Sequence, residues 1–202
     1  IWGDCRSGEN FVYSAHNTNT MIEICLDILN CIPLVIDDYN LLSPQEKLKF
    51  NKMIMQIANG FGRGRATKNM SLMRLYSWKD ACLINSEEPI RDKGTTGGIL
   101  NRVLACQAPD DFPWRNADGS IRAGELMAFF ESSSGHAGPE YIDILNKMGI
   151  EEIRKIKEKY EKIIQEKANQ QNKSERQIIS LAILLTADEI AAKQLFGDDI
   201  QI

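Results

Sequence analysis

The chain has 202 residues, of which 43% are hydrophobic and 26% charged, with a formal net charge of -4. That balance suits one sizeable globular domain, or one with a helical appendage, and excludes a surface built throughout to bind polyanions. No apolar run approaches the ~20 residues a bilayer-spanning helix needs.

In chain order, Met21, Ile22, Cys25, Leu26 and Leu29 recur at helical spacing, predicting a helix over 18–30 with Thr18 or Asn19 as its cap. A strand over 33–38 follows, in which Leu34, Val35 and Ile36 run into Asp37 and Asp38. Ser43, Pro44 and Glu46 together form a strong helix start, with Ser at the N-cap, Pro in the first turn and Glu closing a capping box. Phe50, Met53, Ile54 and Ile57 supply the buried stripe of that helix, and Gly60 ends it. Residues 60–68 read as a glycine-broken basic loop, and 76–84 as a second strand ending at Asn85. A turn with Gly94, Gly97 and Gly98 leads through Arg102 to a third apolar strand over 103–106. The composition then shifts: 108–122 is loop-like, with Trp114 inside it, and the remainder is helical. One helix is expected over 139–147 and a second on the stripe Ile153, Ile156, Tyr160, Ile163 and Ile164. A third, capped by Ser174, runs to Gly197 after a polar break at 169–173.

The chemistry centres on Asp37 and Asp38. An apolar strand that delivers adjacent carboxylates to the end of a sheet is the Walker B pattern of nucleotide hydrolases. Mg²⁺ takes hard oxygen ligands; Asp37 would hold it through water, and Asp38 would orient or polarise an attacking water. The plainer alternative is a strand ending in a solvated acidic turn. Asn85, at the end of the next strand, would hydrogen-bond a γ-phosphate or the lytic water. Arg102, beside a flexible turn, is placed to project from a subunit edge towards a neighbouring protomer, or to make a surface salt bridge. Arg63, Arg65 and Lys68, with Phe61 among them, suit contact with a nucleic-acid backbone, and on composition equally a solvated loop. His136 reads as a turn or packing residue. The five cysteines are odd in number, scattered and without a CxxC pair, so reduced thiols in a cytoplasmic protein are expected. No GxxxxGK[ST] phosphate loop occurs in these residues, and the chain opens on Ile1, Trp2 and Gly3. The expectation is therefore the back part of a hydrolase domain whose phosphate cradle lies upstream.

Taken as an ordered set, Asp37 and Asp38, residues 58–65 (ANGFGRGR), 83–88 (LINSEE), Arg102 and 134–138 (SGHAG) resemble a bacterial domain of unknown function. That domain occurs in phage and genomic-island proteins and carries a superfamily 3-like AAA+ helicase core. The resemblance implies an α/β fold: a truncated P-loop NTPase parallel-sheet core over 1–107, then a mainly α-helical subdomain over 108–202. It implies Walker B at Asp37 and Asp38, sensor 1 at Asn85 or the adjoining Ser86, and an arginine finger at Arg102. It further implies a homo-oligomeric ring that uses ATP and Mg²⁺ to unwind or move along DNA. A rival expectation is a non-catalytic DNA-binding or scaffolding module of a mobile element, in which the acids are vestigial.

Overall fold

The computed structural model describes residues 12–87, 90, 97–107, 122–168 and 175–197. The chain divides into two compact units, Asn10–Ala105 and a second that takes in Cys106–Ile202. The fold is α/β, with a small three-stranded parallel sheet and otherwise mostly helices.

The sheet belongs to the first unit. Strand β1 (Val12–Ser14) leads into helix α1 (Asn19–Leu29), then β2 (Leu34–Asp37), helix α2 (Pro44–Asn59) and β3 (Cys82–Ile84). β2 lies in the centre and pairs in parallel with both neighbours, Ser14 opposite Asp37 and Ile36 opposite Ile84. The strands ending at Asp37 and just before Asn85 are thus adjacent and parallel. Leu34 and Ile36 are fully buried and pack with Ile22 and Leu26 of α1 and with Phe50, Met53 and Ile54 of α2. Burial of each such side chain stabilises the fold by roughly 1.5–3 kcal/mol, so this cluster fixes where β2 ends.

Local signals set the helix ends. Thr18 Oγ1 accepts from the Met21 amide at 3.3 Å. Ser43 and Glu46 form the reciprocal capping box, and Gly60 ends α2 at φ +80°, where an added Cβ would lie 3.0 Å from the Trp78 carbonyl oxygen.

Several expectations need correction. β1 carries too few residues for a period of two to register in the sequence. Only 82–84 of the expected 76–84 strand joins the sheet. Before it the backbone bonds elsewhere, the Trp78 amide to Gly60 O and the Lys79 amide to Asn30 O, both at 2.9 Å. Residues 103–106 form no ladder. Val103 still packs on the core, because a short apolar run satisfies burial in irregular backbone as well as in a strand. Gly97–Leu100 is a short helix, α3. Most of the 108–122 loop, with Trp114, and the break at 169–173 with Ser174 lie outside the described residues.

The second unit is helical, with α4 (Ala123–Ser132), α5 (Ala137–Met148), α6 (Ile150–Ala168) and α7 (Glu175–Ile190). Tyr160 and Ile164 of α6 pack on Ala182, with Ile156, Ile163, Ile178, Leu181 and Leu185 around them. The last six residues before Gly197, Ala191–Phe196, wind as a π-helix instead of continuing α7. Just before it, Glu189 accepts from Lys159 and Lys193, each at 2.8 Å. Burial alone would raise the Glu189 carboxyl, but bonds from the two ammonium groups outweigh it and hold the pKa at about 2. No helix of the described residues is long and apolar enough to cross a membrane.

At the opening of β3, burial pushes Asp80 up from 3.8 to about 6. The nearby amides of Ala81 and Leu34 oppose the rise, yet among the described residues neither carboxylate oxygen has a hydrogen bond of normal geometry. Between about pH 4 and pH 6 the folded chain keeps a proton that the unfolded chain has lost, so stability falls as pH rises through that window. A rise of this size is equivalent to about 3 kcal/mol for a fully buried group; Asp80 is only partly buried, and screening by water reduces it to about 1 kcal/mol. Asp80→Asn is therefore expected to stabilise the chain by about 1 kcal/mol in urea titrations above pH 7 and to change nothing near pH 3.5.

Candidate functional site

The carboxyl ends of β2 and β3 form one small polar edge. Asp37 closes β2, and its Oδ1 accepts two hydrogen bonds: from the Asp38 amide at 2.8 Å and from Asn85 Nδ2 at 3.1 Å. Asn85 reaches it because its own amide stays on the ladder, donating to Ile36 O at 2.9 Å. No hydrogen bond to Asp37 Oδ2 occurs among the described residues, which leaves that oxygen's lone pairs for a cation or its water shell.

Asp38 stands in the left-handed region, at φ 64° and ψ 22°. Asp visits this conformation more readily than most side chains, but it still costs about 1–2 kcal/mol. Buried neighbours hold the strained turn in place. Tyr39, next in sequence, is buried and sets its ring edge-on against Phe50 of α2, centroids 5.4 Å apart. An acid at the end of a core strand, turned sharply and pinned by an aromatic anchor, is local strain of the kind found at reactive sites.

These oxygens are hard donors and fit Mg²⁺. Among the described residues no group of three or more His, Cys, Asp or Glu side chains gathers.

The basic segment 60–68 is the largest departure from expectation. It is the outgoing arm of a hairpin that spans 60–78, with bridges Phe61 to Ser77 and Ala66 to Leu72. Gly62 N donates to Tyr76 O at 2.9 Å and Met73 N to Arg65 O at 2.8 Å. The hairpin is pinned to α1 through buried charge. Arg65 Nη2 donates to Glu23 Oε2 at 2.6 Å and to Thr20 Oγ1 at 3.1 Å. The Arg63 amide donates to Glu23 Oε1 at 3.3 Å, and the Glu23 side chain is fully buried. Gly62 lets the arm approach this carboxylate closely, since an added Cβ would meet Glu23 Oε2 at 3.1 Å. On the returning arm Arg74 pairs with Asp27 at 2.5 Å, and the Ser77 amide donates to Asp27 Oδ1 at 3.0 Å.

This arrangement divides the expected nucleic-acid cations. Arg65 is committed to Glu23 inside the unit. Arg63 and Lys68 have exposed side chains with no ion pair among the described residues. Lys68 sits at the hairpin tip beside Met70 and Leu72, which are 90% and 89% exposed. In the sequence the one sign of this pinning is Glu23, a carboxylate set among Ile22, Cys25 and Leu26 on the apolar face of α1.

Arg102 does not project freely. Its Nη1 donates to Gly98 O at 2.7 Å, folding the half-buried side chain back over α3, and its Nε is buried without a hydrogen-bond partner among the described residues. The turn ahead of it that was to swing it outwards is partly helix. Ser86, the alternative sensor, adjoins Asn85, and the amide that meets Asp37 is that of Asn85. His136 is exposed at the start of α5. Among the described residues Cys25, Cys31, Cys82 and Cys106 are free thiols, with the Cys82 thiol pushed up to about 12 by burial and by the charge of Asp80.

Comparisons with protein-family models, with curated proteins and with solved structures found no match to this chain.

Proposed function

We propose that this chain forms the Walker B and sensor edge of a P-loop-type nucleotide hydrolase that couples ATP hydrolysis to movement along DNA, as the resemblance to superfamily 3-like AAA+ cores of mobile elements implies. The observation that carries the reading is the 3.1 Å hydrogen bond from Asn85 Nδ2 to Asp37 Oδ1. It joins an acid and an amide at the carboxyl ends of adjacent parallel strands, the edge where open α/β sheets bind ligands.

In this reading Asp37 keeps Oδ2 for Mg²⁺ or a water of its shell, while Asn85 and the Asp38 amide fix the carboxylate through Oδ1. The bound Mg²⁺ would supply charge neutralisation at the β- and γ-phosphates. Asp38 orients and polarises the attacking water from its pinned turn. Asn85 holds Asp37 in register with the phosphate, so an error in either strand is felt at both. The phosphate cradle comes from residues other than these 202, which contain no GxxxxGK[ST] sequence. The hairpin supports the DNA half of the reading: it is tied to α1 through Glu23 and Asp27 and carries Lys68, with the exposed Met70 and Leu72, at its tip. Arg63 and Lys68 contact the backbone, and Arg65 keeps the arm in place. Arg102 acts on a neighbouring protomer of a ring only once its guanidinium leaves Gly98.

ATP turnover by the native protein, with and without DNA, tests the proposal. Asp37→Asn keeps the shape of the side chain and removes the charge, and turnover is expected to fall about 100-fold or more, in line with loss of one electrostatic group from a phosphoryl-transfer site. No turnover by the native protein, with Asp37→Asn indistinguishable from the wild type, would favour the scaffolding alternative.

A further inference from the structure

A second basic feature lies beside β1, on the opposite flank of β2 from Asn85. A cleft of about 500 Å³ opens between the end of β1, the start of α1 and α2 with the turn before it. Ala15, His16, Asn17, Leu42 and Phe50 contribute to its walls, and its charged lining is Lys49, Lys52 and Arg63 against a single carboxylate, Glu46. Glu46 is already engaged by Ser43, whose amide donates to it at 2.9 Å and whose hydroxyl donates at 2.6 Å, and it lies 3.9 Å from His16. Lys49, Lys52 and Arg63 form no ion pair among the described residues. Three cations thus line the cleft against one carboxylate, Glu46, which also feels the charge of Lys49, although the chain as a whole is acidic.

From this geometry we infer that the cleft is a second contact for the phosphodiester backbone of a single-stranded nucleic acid. Several features favour a chain of phosphates over one phosphate group. Lys49 and Lys52 are exposed and three residues apart on α2, so they lie side by side along one helix face. Arg63 continues the charge from the cleft into the hairpin, whose tip carries Lys68. Beside Lys49 and Lys52 the N-terminus of α1 adds the positive end of its dipole, with the Thr18 cap in the cleft wall. The strand so bound would run from the cleft past Arg63 towards the hairpin tip. The choice of polymer rests on the DNA-directed reading above; the charge pattern does not.

The test is binding of a fluorescently labelled oligothymidylate to the native protein without nucleotide, followed by anisotropy across a series of KCl concentrations. Each phosphate contact contributes about 0.7 to the slope of log K against log salt for single strands. Lys49→Ala with Lys52→Ala should lower that slope by about 1.4 and weaken binding roughly tenfold at low salt. Both side chains are exposed, so the double variant should unfold like the wild type. Lys49→Arg with Lys52→Arg should restore the slope. An unchanged slope in the alanine variant would overturn the proposal, as would absence of oligonucleotide binding or displacement of the strand by millimolar inorganic phosphate. Turnover with Asp37→Asn reports separately on the hydrolase reading: a cleft that binds DNA in a protein without ATPase activity would uphold this inference and sink that one.

Discussion

Glu23→Ala is expected to destabilise the sheet unit by about 3 kcal/mol, at the lower bound for breaking a buried ion pair from one side. The fully buried carboxylate serves two partners, Arg65 Nη2 and the Arg63 amide, and both would lose their acceptor together. Arg65 is 31% exposed and recovers part of its hydration, which is why the cost stays at the low end. For a unit of this size, 3 kcal/mol corresponds to a fall in Tm of about 12–24 °C. Arg63→Ala supplies the contrast. Only its backbone N–H reaches Glu23, so stability should stay within about 0.5 kcal/mol of the wild type. Thermal unfolding measures both, and amide exchange over 60–78 shows whether the hairpin loosens first. A Glu23→Ala protein as stable as Arg63→Ala would mean that the hairpin is not held through this carboxylate.

The 202-residue chain by itself should not bind ATP measurably. Phosphate loops contribute backbone N–H donors, a lysine for the β- and γ-phosphates and a hydroxyl for Mg²⁺. Without them Asp37 and Asp38 offer a polyanion only like charge. Each charge-assisted hydrogen bond is worth ~1.5–3 kcal/mol, so the lack of three or four removes roughly 5–12 kcal/mol. Micromolar affinity amounts to about 8 kcal/mol in all. Calorimetric titration with ATP and Mg²⁺ should therefore show no saturable heat, and a micromolar Kd would mean that the nucleotide site is elsewhere.

Much of the site was legible because its signals are local. The run Leu34, Val35, Ile36 ending in Asp37 marks a buried strand with acids at its end, and Ser43, Pro44 and Glu46 mark the start of α2 by capping chemistry alone. The adjacency of Asp37 and Asn85 followed from strand order. The hairpin was illegible because its stability is tertiary: nothing between 60 and 78 states that Glu23 and Asp27 hold Arg65 and Arg74. A glycine-rich basic stretch reads as a loop until those partners are known. For the same reason, Arg65 looked like a nucleic-acid contact. The run at 103–106 misled in the other direction, since burial without a neighbouring strand leaves the same apolar trace. Lys49 and Lys52 carry no signal of their own in the sequence, because lysines on an exposed helix face are common, and only the fold sets them in one cleft with His16 and Arg63.

The bond between Asn85 and Asp37 is best tested by a double-mutant cycle on ATP turnover, with Asp37→Asn, Asn85→Ala and the combined variant made in the native protein. If the amide works by holding the acid, each single change should lower kcat and the pair should lower it little further, because residues that act as a unit are strongly non-additive. Full additivity of the two losses, or turnover unchanged by either substitution, would contradict a shared catalytic edge.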